Sequence, residues 1–221
     1  MGLKVEALTS IIRLILSDSG SDLWSNANIN AAILEAEKAI VNFRPDASSV
    51  DATLTCAVGA RQSIAALTPK PNRLIDVKYN IPSSTPGRSI KAVTAAELDA
   101  ISPTWRAATA TATIKEFIFD PREPLLFYVN PPAASGAAVR ISYSATPADY
   151  GTVNSSTETT IDAIFEPMVT EFALYRLFGY DQEGSVNIGR SSQHFQNFQV
   201  LMGLKIQGES RGAKSLTEGT K

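Results

Sequence analysis

The chain has 221 residues, with 20 Lys and Arg against 22 Asp and Glu, one His and one Cys. This length fits one large domain or two small ones, and it can bury a core without disulfides. Cys56 cannot form a disulfide within the chain, and the single His194 excludes sites built from several histidines, including most catalytic zinc sites. The formal charge of -2 argues against a protein that grips nucleic acid through many phosphate contacts.

The N-terminal segment does not resemble a signal peptide, because Lys4, Glu6 and Arg13 interrupt its apolar residues. No stretch reaches the ~18 apolar residues that a membrane span needs. The sequence therefore predicts a protein of the cytoplasm of the cell that makes it, with no membrane partner.

Two helices are predicted at the N-terminus. Residues 3–18 carry apolar side chains at spacings of three and four (Val5, Leu8, Ile12, Ile15 and Leu16). The second helix has the same pattern (Ile29, Ile33, Ala36, Ile40 and Phe43) and ends before Pro45. Glu35, Glu37 and Lys38 fall off its apolar stripe and are predicted to face solvent or a neighbouring element.

From residue 48 to residue 144 the apolar period changes to two, which indicates strands. The candidate strands are residues 52–57, 74–79, 89–93, 113–119, 125–129 and 138–144. The last three are predicted to form an antiparallel meander. Thr94 and Glu97 have the spacing of a capping box and predict a short helix over residues 94–100.

Helices return after a polar connection at residues 146–160. The third long helix is predicted to begin near Ile161, to hold Pro167 in its first turn and to end at Gly179. A fourth is predicted over residues 187–205. The remaining residues have no apolar period and predict an extended tail, whose charge from Lys205 onward is +4 − 2 = +2.

The predicted fold class is α+β. A bundle of four helices, formed by the N- and C-terminal pairs, carries an inserted antiparallel β-rich region. The predicted organisation is residues 1–47 for the N-terminal helices, 48–147 for the insertion, 148–205 for the C-terminal helices and 206–221 for the extended tail.

Few residues have the patterns of catalytic chemistry. His194 is the one imidazole, and no nucleophile and acid are placed to converge on it. Ser191 and Ser192 are adjacent on a helix and do not face each other. Cys56 is predicted to be a small, buried apolar residue in a strand. The sequence therefore predicts no catalytic residue and no enzyme.

Cofactor and metal sites are not predicted either. The segment from Gly59 to Ser63 lacks the spacing and the lysine of a phosphate-binding loop. Asp120 and Glu123 are typical of a turn with solvated charges. The spacing of Asp149, Glu158 and Asp162 does not match a calcium loop.

Several short motifs follow one another along the chain between residues 22 and 204. They are Arg44-Pro45-Asp46-Ala47, Gly59-Ala60-Arg61-Gln62-Ser63-Ile64, Leu74-Ile75-Asp76-Val77, Gly87-Arg88-Ser89-Ile90, Glu97-Leu98-Asp99, Pro103-Thr104-Trp105, Phe119-Asp120-Pro121-Arg122, Phe127-Tyr128-Val129-Asn130-Pro131-Pro132, Ile141-Ser142-Tyr143-Ser144-Ala145-Thr146-Pro147, Phe172-Ala173-Leu174-Tyr175-Arg176 and Tyr180-Asp181. Each motif alone is weakly specific, but their order and spacing are fairly specific. Together they resemble the head-to-tail adaptor (connector) proteins of tailed bacteriophages.

The resemblance implies a virion structural protein in the neck of the particle, assembled in the host cytoplasm. Copies would form a ring, a dodecamer that follows portal symmetry, beneath the portal protein and above a tail or nozzle protein. Double-stranded DNA would pass through the lumen during genome ejection. No catalysis, cofactor or metal is implied.

The basic tail suits a docking role, because a polar segment of this kind can become ordered on binding a partner. The expected portal-docking residues are Lys205, Arg211, Lys214 and Lys221. A frayed terminus is the alternative. The sequence shows no strong coiled-coil seam, so the isolated chain is expected to be monomeric or weakly associated.

Three other functions remain open from the sequence. The first is a tail-completion or tail-terminator protein of the same virion, whose partner would be the tail tube. The second, more remote, is a small hydrolase that uses His194 with Ser192 or Cys56. The third is a carbohydrate- or receptor-binding β module, which would leave the flanking helices without a purpose.

Overall fold

The computed structural model of the chain describes residues 2–82, 86–180 and 185–218, and for residues 185, 186 and 206–218 it describes the backbone alone. The chain divides into two compact units, one made of Met1–Phe43 and Pro147–Lys221 and the other of Arg44–Thr146. The helices are α1 Val5–Leu16, α2 Asn26–Phe43, α3 Ala95–Ile101, α4 Glu166–Tyr180 and α5 Ser185–Glu218. The strands are β1 Gly2–Lys4, β2 Ser49–Thr55, β3 Gly59–Ser63, β4 Pro71–Asn80, β5 Lys91–Ala92, β6 Glu116–Ile118, β7 Leu126–Ala133, β8 Ala138–Ala145 and β9 Glu158–Asp162.

The first unit, called the helical unit here, contains α1, α2, α4 and α5. Helix α2 packs against α1 and α4, and α5 packs against α4. Apolar side chains at spacings of three and four fill its interior, because such spacings place them on one face of each helix. They include Leu8, Ile12, Ile29, Ile33, Ile40, Val169, Leu174, Leu177 and Phe198. The short strands β1 and β9 pair antiparallel in the same unit.

The second unit, called the β unit here, contains two sheets. One has the strand order β2-β8-β4 and is antiparallel, and the other has the order β3-β7-β6-β5. Their side chains share one apolar core, which includes Ile64, Leu74, Val77, Phe127, Val129, Ile141 and Tyr143. Helix α3 begins at a complete capping box, in which Thr94 and Glu97 each accept a hydrogen bond from the other's backbone N–H.

The predicted fold class, a four-helix bundle with one inserted antiparallel β-rich region, is wrong. The described residues form five helices and three separate sheets. One sheet, β1-β9, belongs to the helical unit, and β5 pairs with β6 in parallel. The prediction failed because β1, β3 and β9 are short and polar, and long-range pairing rather than an apolar period determines them.

The predicted meander is also wrong. Strands β6 and β7 do pair, but β8 leaves them and becomes the central strand of the other sheet, between β2 and β4. Six of the eight residues of β8 are buried, and the other two, Ala138 and Arg140, are partly buried. As the central strand, β8 is hydrogen-bonded along both edges, and residues on both of its faces are buried.

Helix α5 continues to Glu218, into the segment for which the sequence predicts an extended tail. The segment has no apolar period, but it also lacks proline, and backbone hydrogen bonding can extend a helix through polar residues. No helix in the described ranges is long and apolar enough to cross a membrane.

Candidate functional site

Helix α2 places one carboxylate inside the helical unit. Glu37 is fully buried, and its Oε1 accepts hydrogen bonds from the backbone N–H groups of Thr160 at 2.6 Å and Ile161 at 3.2 Å. The hydroxyl of Tyr150 donates to the other oxygen, Oε2. Burial raises the pKa of Glu37, although these hydrogen bonds oppose the shift. Glu37 thus ties strand β9 and the preceding segment to α2.

His194 lies on α5 and has structural partners. Its Nδ1 is 2.8 Å from Oε2 of Glu171 on α4, and the same oxygen accepts a hydrogen bond from Asn197. Its ring stacks on Phe178, with the centroids 5.5 Å apart. His194 therefore joins α5 to α4 through its contacts with Glu171 and Phe178.

Within the described residues, no hydrogen bond joins His194 to the nucleophiles that the sequence offered. Ser191 donates its hydroxyl hydrogen bond to the carbonyl of Tyr175. Ser192 is exposed on α5. Cys56 belongs to the other unit, where it is buried just after β2 and its pKa is raised to about 11 by that burial. A thiol with so high a pKa is a poor nucleophile at neutral pH.

The acidic residues considered as metal ligands lie in ordinary structural roles. Asp120 pairs with Arg122 in an exposed turn. Glu158 pairs with Lys4, and Asp162 accepts a hydrogen bond from Ile164 N–H at the end of β9. Within the described ranges, no group of three or more His, Cys, Asp or Glu side chains could hold a metal ion.

The residues predicted to dock on the portal are only partly described. Lys205 lies on α5, and its ammonium group is 4.2 Å from the centroid of the buried Phe165 ring, a cation–π contact. Arg211 and Lys214 lie on α5 without described side chains, and Lys221 lies outside the described residues.

Two exposed apolar faces of the helical unit are the features that sequence reasoning missed. The outer α1 face consists of Ala7, Ile11, Leu14 and Ile15, and the loop after α1 carries a further exposed apolar residue, Leu23. Leu14 is 81% exposed and Leu23 is 75% exposed. Ile15 was expected to be buried and is 46% exposed. A usable signal was present, because Ile11 and Leu14 lie off the buried stripe of this helix.

The outer α5 face consists of Gln193, Gln196, Val200 and Leu204. Val200 and Leu204 are four residues apart, and each is 59% exposed. No residue of this face is charged. The same holds for the outer α1 face, so neither face would have to desolvate a charge on binding a protein surface.

A network of charged hydrogen bonds, called the Asp18 clasp here, fixes the loop that carries Leu23. The buried Asp18 carboxylate accepts hydrogen bonds from the backbone N–H groups of Asp22, Leu23 and Trp24. Arg13 donates to the same carboxylate at 3.0 Å and to the carbonyl of Trp24 at 2.8 Å. The loop is therefore held in one conformation while Leu23 points into solvent.

The Asp18 clasp predicts a pH dependence. Burial alone would raise the pKa of Asp18, but the backbone donors and Arg13 together hold it below its ordinary value. The clasp should stabilise the fold above the unfolded-state pKa of about 3.9, and this stability should be lost as the pH falls through the lower folded-state pKa. Urea unfolding of the wild type and Asp18→Asn should give midpoints that differ at neutral pH and converge in acid. A difference independent of pH would contradict the assignment.

Exposed helix faces that carry apolar side chains and no charge are typical of a protein that acts by binding other proteins. The comparison with known families agrees with this class. The model of the SU10 adaptor protein family matches residues 6–217, and the chain belongs to this family of phage head-to-tail adaptors. Membership indicates a bacteriophage structural protein and implies a role other than catalysis. No curated protein matches the chain.

Proposed function

We propose that this protein is the head-to-tail adaptor of a tailed phage, and that its copies form a ring beneath the portal. The ring joins the capsid to the tail or nozzle protein in the neck of the virion, and the genome passes through its lumen. The dodecamer matches the portal symmetry, and the subunits assemble in the host cytoplasm. Membership of the adaptor family over residues 6–217 is the observation that carries this proposal.

The charge of the chain supports a passage for DNA. A protein that neutralises many phosphates holds DNA in place, whereas a conduit has to let the duplex slide. A formal charge of -2, from 20 basic and 22 acidic residues, leaves the subunit without the large positive excess of a DNA clamp.

Electron microscopy of the purified chain mixed with the portal of its phage tests the proposal. We expect a ring of density attached to one end of the portal, with the symmetry of the portal. Co-sedimentation separates the alternative of a tail-completion protein. Binding to tail tubes without binding to portal rings would contradict the adaptor assignment.

The basic C-terminal segment is proposed to dock on the portal. Removing residues 207–221 takes away Arg211, Lys214 and Lys221 and leaves Lys205 on the shortened helix. Attachment to portal rings should weaken and become less sensitive to salt, because exposed ion pairs are screened by salt. The matched control replaces Arg88 and Lys91, two exposed cations of the β unit, by alanine. Equal attachment of the truncated chain and the full chain in co-sedimentation would reject the docking role.

A further inference from the structure

Three exposed cations of the β unit lie close together and are called the basic corner here. They are Arg88, Lys91 and Lys115. The backbone N–H of Lys91 donates to the carbonyl of Lys115 at 3.0 Å. Arg88 and Thr113 line the same recess, which has a volume of about 210 Å³. The fold therefore gathers three cations from three separate places in the sequence.

The buried Asn80, at the end of β4, fixes the backbone of the basic corner. Its Nδ2 donates to the carbonyl of Arg88 at 2.9 Å and to that of Ile114 at 2.7 Å, and its Oδ1 accepts from the Ile114 N–H at 2.8 Å. Asn80 is 4% exposed. The segments that carry Arg88 and Lys115 are thus held in place before any ligand binds, which lowers the entropy lost on binding.

The cations of the basic corner are not consumed by ion pairs. In the part of the chain that the structure describes, no salt bridge joins them to a carboxylate. Glu116 is the register partner of Lys91, but its carboxylate accepts from Asn130 at 2.7 Å. Hydrogen bonds from Thr94, and to a lesser degree the charge of Lys91, hold the pKa of Glu97 below its ordinary value. Both acids therefore have other partners.

The basic corner belongs to the basic part of the chain. Residues 44–146 have 11 Lys and Arg against 8 Asp and Glu, a charge of +3, whereas the rest of the chain has 9 against 14, a charge of -5. We infer that the basic corner is the surface of the subunit that contacts the phosphates of double-stranded DNA. This inference rests on the proposed function, since it names the surface that meets the genome in the lumen.

The chemistry of the basic corner favours phosphate over a protein surface. Lys, Arg, Ser and Thr side chains are usual contacts of DNA phosphates, and the exposed hydroxyls of Ser89 and Thr113 accompany the three cations. Protein interfaces are instead depleted in Lys, and their centres are poor in charge. Three contacts of this kind read no sequence and are few, so the duplex can slide past them.

Fluorescence anisotropy of a short labelled DNA duplex, titrated with the full chain, tests the inference. Three phosphate contacts give a slope of about -2.7 for log affinity against log salt, so the affinity should fall roughly 40-fold between about 50 and about 200 mM salt. The triple variant Arg88→Ala, Lys91→Ala and Lys115→Ala should lose most of this salt dependence. Its affinity at the lower salt should drop roughly tenfold or more.

The matched control replaces Lys38, Arg61 and Lys70, three other exposed cations, by alanine, so that the loss of charge is the same. It should bind the duplex nearly as the wild type does, with circular dichroism showing that both triple variants are folded. Three outcomes would overturn the inference. They are an equal loss of affinity in the control, absent or salt-independent binding by the wild type, and equally tight binding of polyglutamate, which would identify an acidic protein surface as the ligand.

Attachment to the portal separates this inference from the proposed function. The triple variant of the basic corner should attach to portal rings as the wild type does, because the proposed portal-docking residues are unchanged. Failure of the wild type to bind the portal would reject the proposed function and leave the DNA result standing. DNA binding that does not depend on the basic corner would overturn the inference and leave the adaptor function intact.

Discussion

Replacing Phe198 by alanine should destabilise the helical unit by about 3–5 kcal/mol, the usual cost of truncating a buried aromatic side chain. Phe198 lies on α5, is 2% exposed, and has ring neighbours Phe172 at 5.1 Å, Phe195 at 6.3 Å and Phe43 at 6.4 Å between centroids. This aromatic cluster joins α5 to α4 and to the end of α2. Urea unfolding followed by far-ultraviolet circular dichroism, which reports mainly on the helices, measures the loss.

Val200→Ala is the matched control for Phe198→Ala, because Val200 lies two residues further along the same helix and is exposed. Its replacement should change the free energy of unfolding by less than about 0.5 kcal/mol. If Phe198→Ala and Val200→Ala differ by less than about 1 kcal/mol, the aromatic cluster does not hold α5 in place.

The functional consequence of the Phe198 cluster follows from what α5 carries. The outer α5 face and the proposed portal-docking residues Arg211 and Lys214 are on this one helix. A loss of packing at Phe198 would therefore weaken the proposed portal contact. Phe198→Ala should lower ring formation on the portal even though Phe198 itself is buried.

The sequence predicted α2 and α3 because the patterns that define them lie between residues close in sequence. The apolar stripe of α2 is visible from the sequence because Ile29, Ile33, Ala36 and Ile40 lie three or four residues apart, and all four are buried. The capping box at Thr94 and Glu97 predicted α3, because both hydrogen bonds form between residues close in sequence.

Features that depend on distant residues could not be predicted. Strand β3, from Gly59 to Ser63, alternates no apolar residues, and it forms because it pairs with β7. The side chain of Gln62 in β3 also makes hydrogen bonds with the backbone of Ala57 and Gly59, a contact between near residues that an apolar period does not reveal. The split of β8 from β6 and β7 likewise depends on which sheet has room for a strand buried on both faces.

The candidate site shows the same limit. The family resemblance predicted a protein that assembles with other proteins, and the family match confirms that class. The exposed outer α1 face was missed because the sequence pattern assigned Ile15 to the buried stripe, although Ile11 and Leu14 lie off that stripe. Which apolar residues a helix hides is settled by its neighbours, and the neighbours are known only from the fold.

Replacing Glu37 by alanine should lower the free energy of unfolding by about 2–4 kcal/mol. The sequence places it off the apolar stripe of α2, facing solvent or a neighbour. In the structure it is fully buried and is the acceptor for Tyr150 and for two backbone N–H groups, those of Thr160 and Ile161. Removing the carboxylate leaves these donors buried without an acceptor, and that desolvation cost is the source of the loss.

Glu35→Ala is the control for Glu37→Ala, because Glu35 lies two residues earlier on α2 and forms a partly exposed ion pair with Arg176. Partly exposed pairs of this kind contribute about 0–1 kcal/mol, so its loss should be small. Glu37→Gln keeps one oxygen for the backbone donors, so its loss of stability should fall between those of Glu37→Ala and Glu35→Ala.

Because burial raises the pKa of Glu37, the folded state holds its proton more tightly than the unfolded state. The wild type should therefore gain stability relative to Glu37→Gln as the pH falls from neutral towards the unfolded-state pKa of about 4.3. Equal urea midpoints for Glu37→Ala and Glu35→Ala would show that β9 is held to α2 by other contacts.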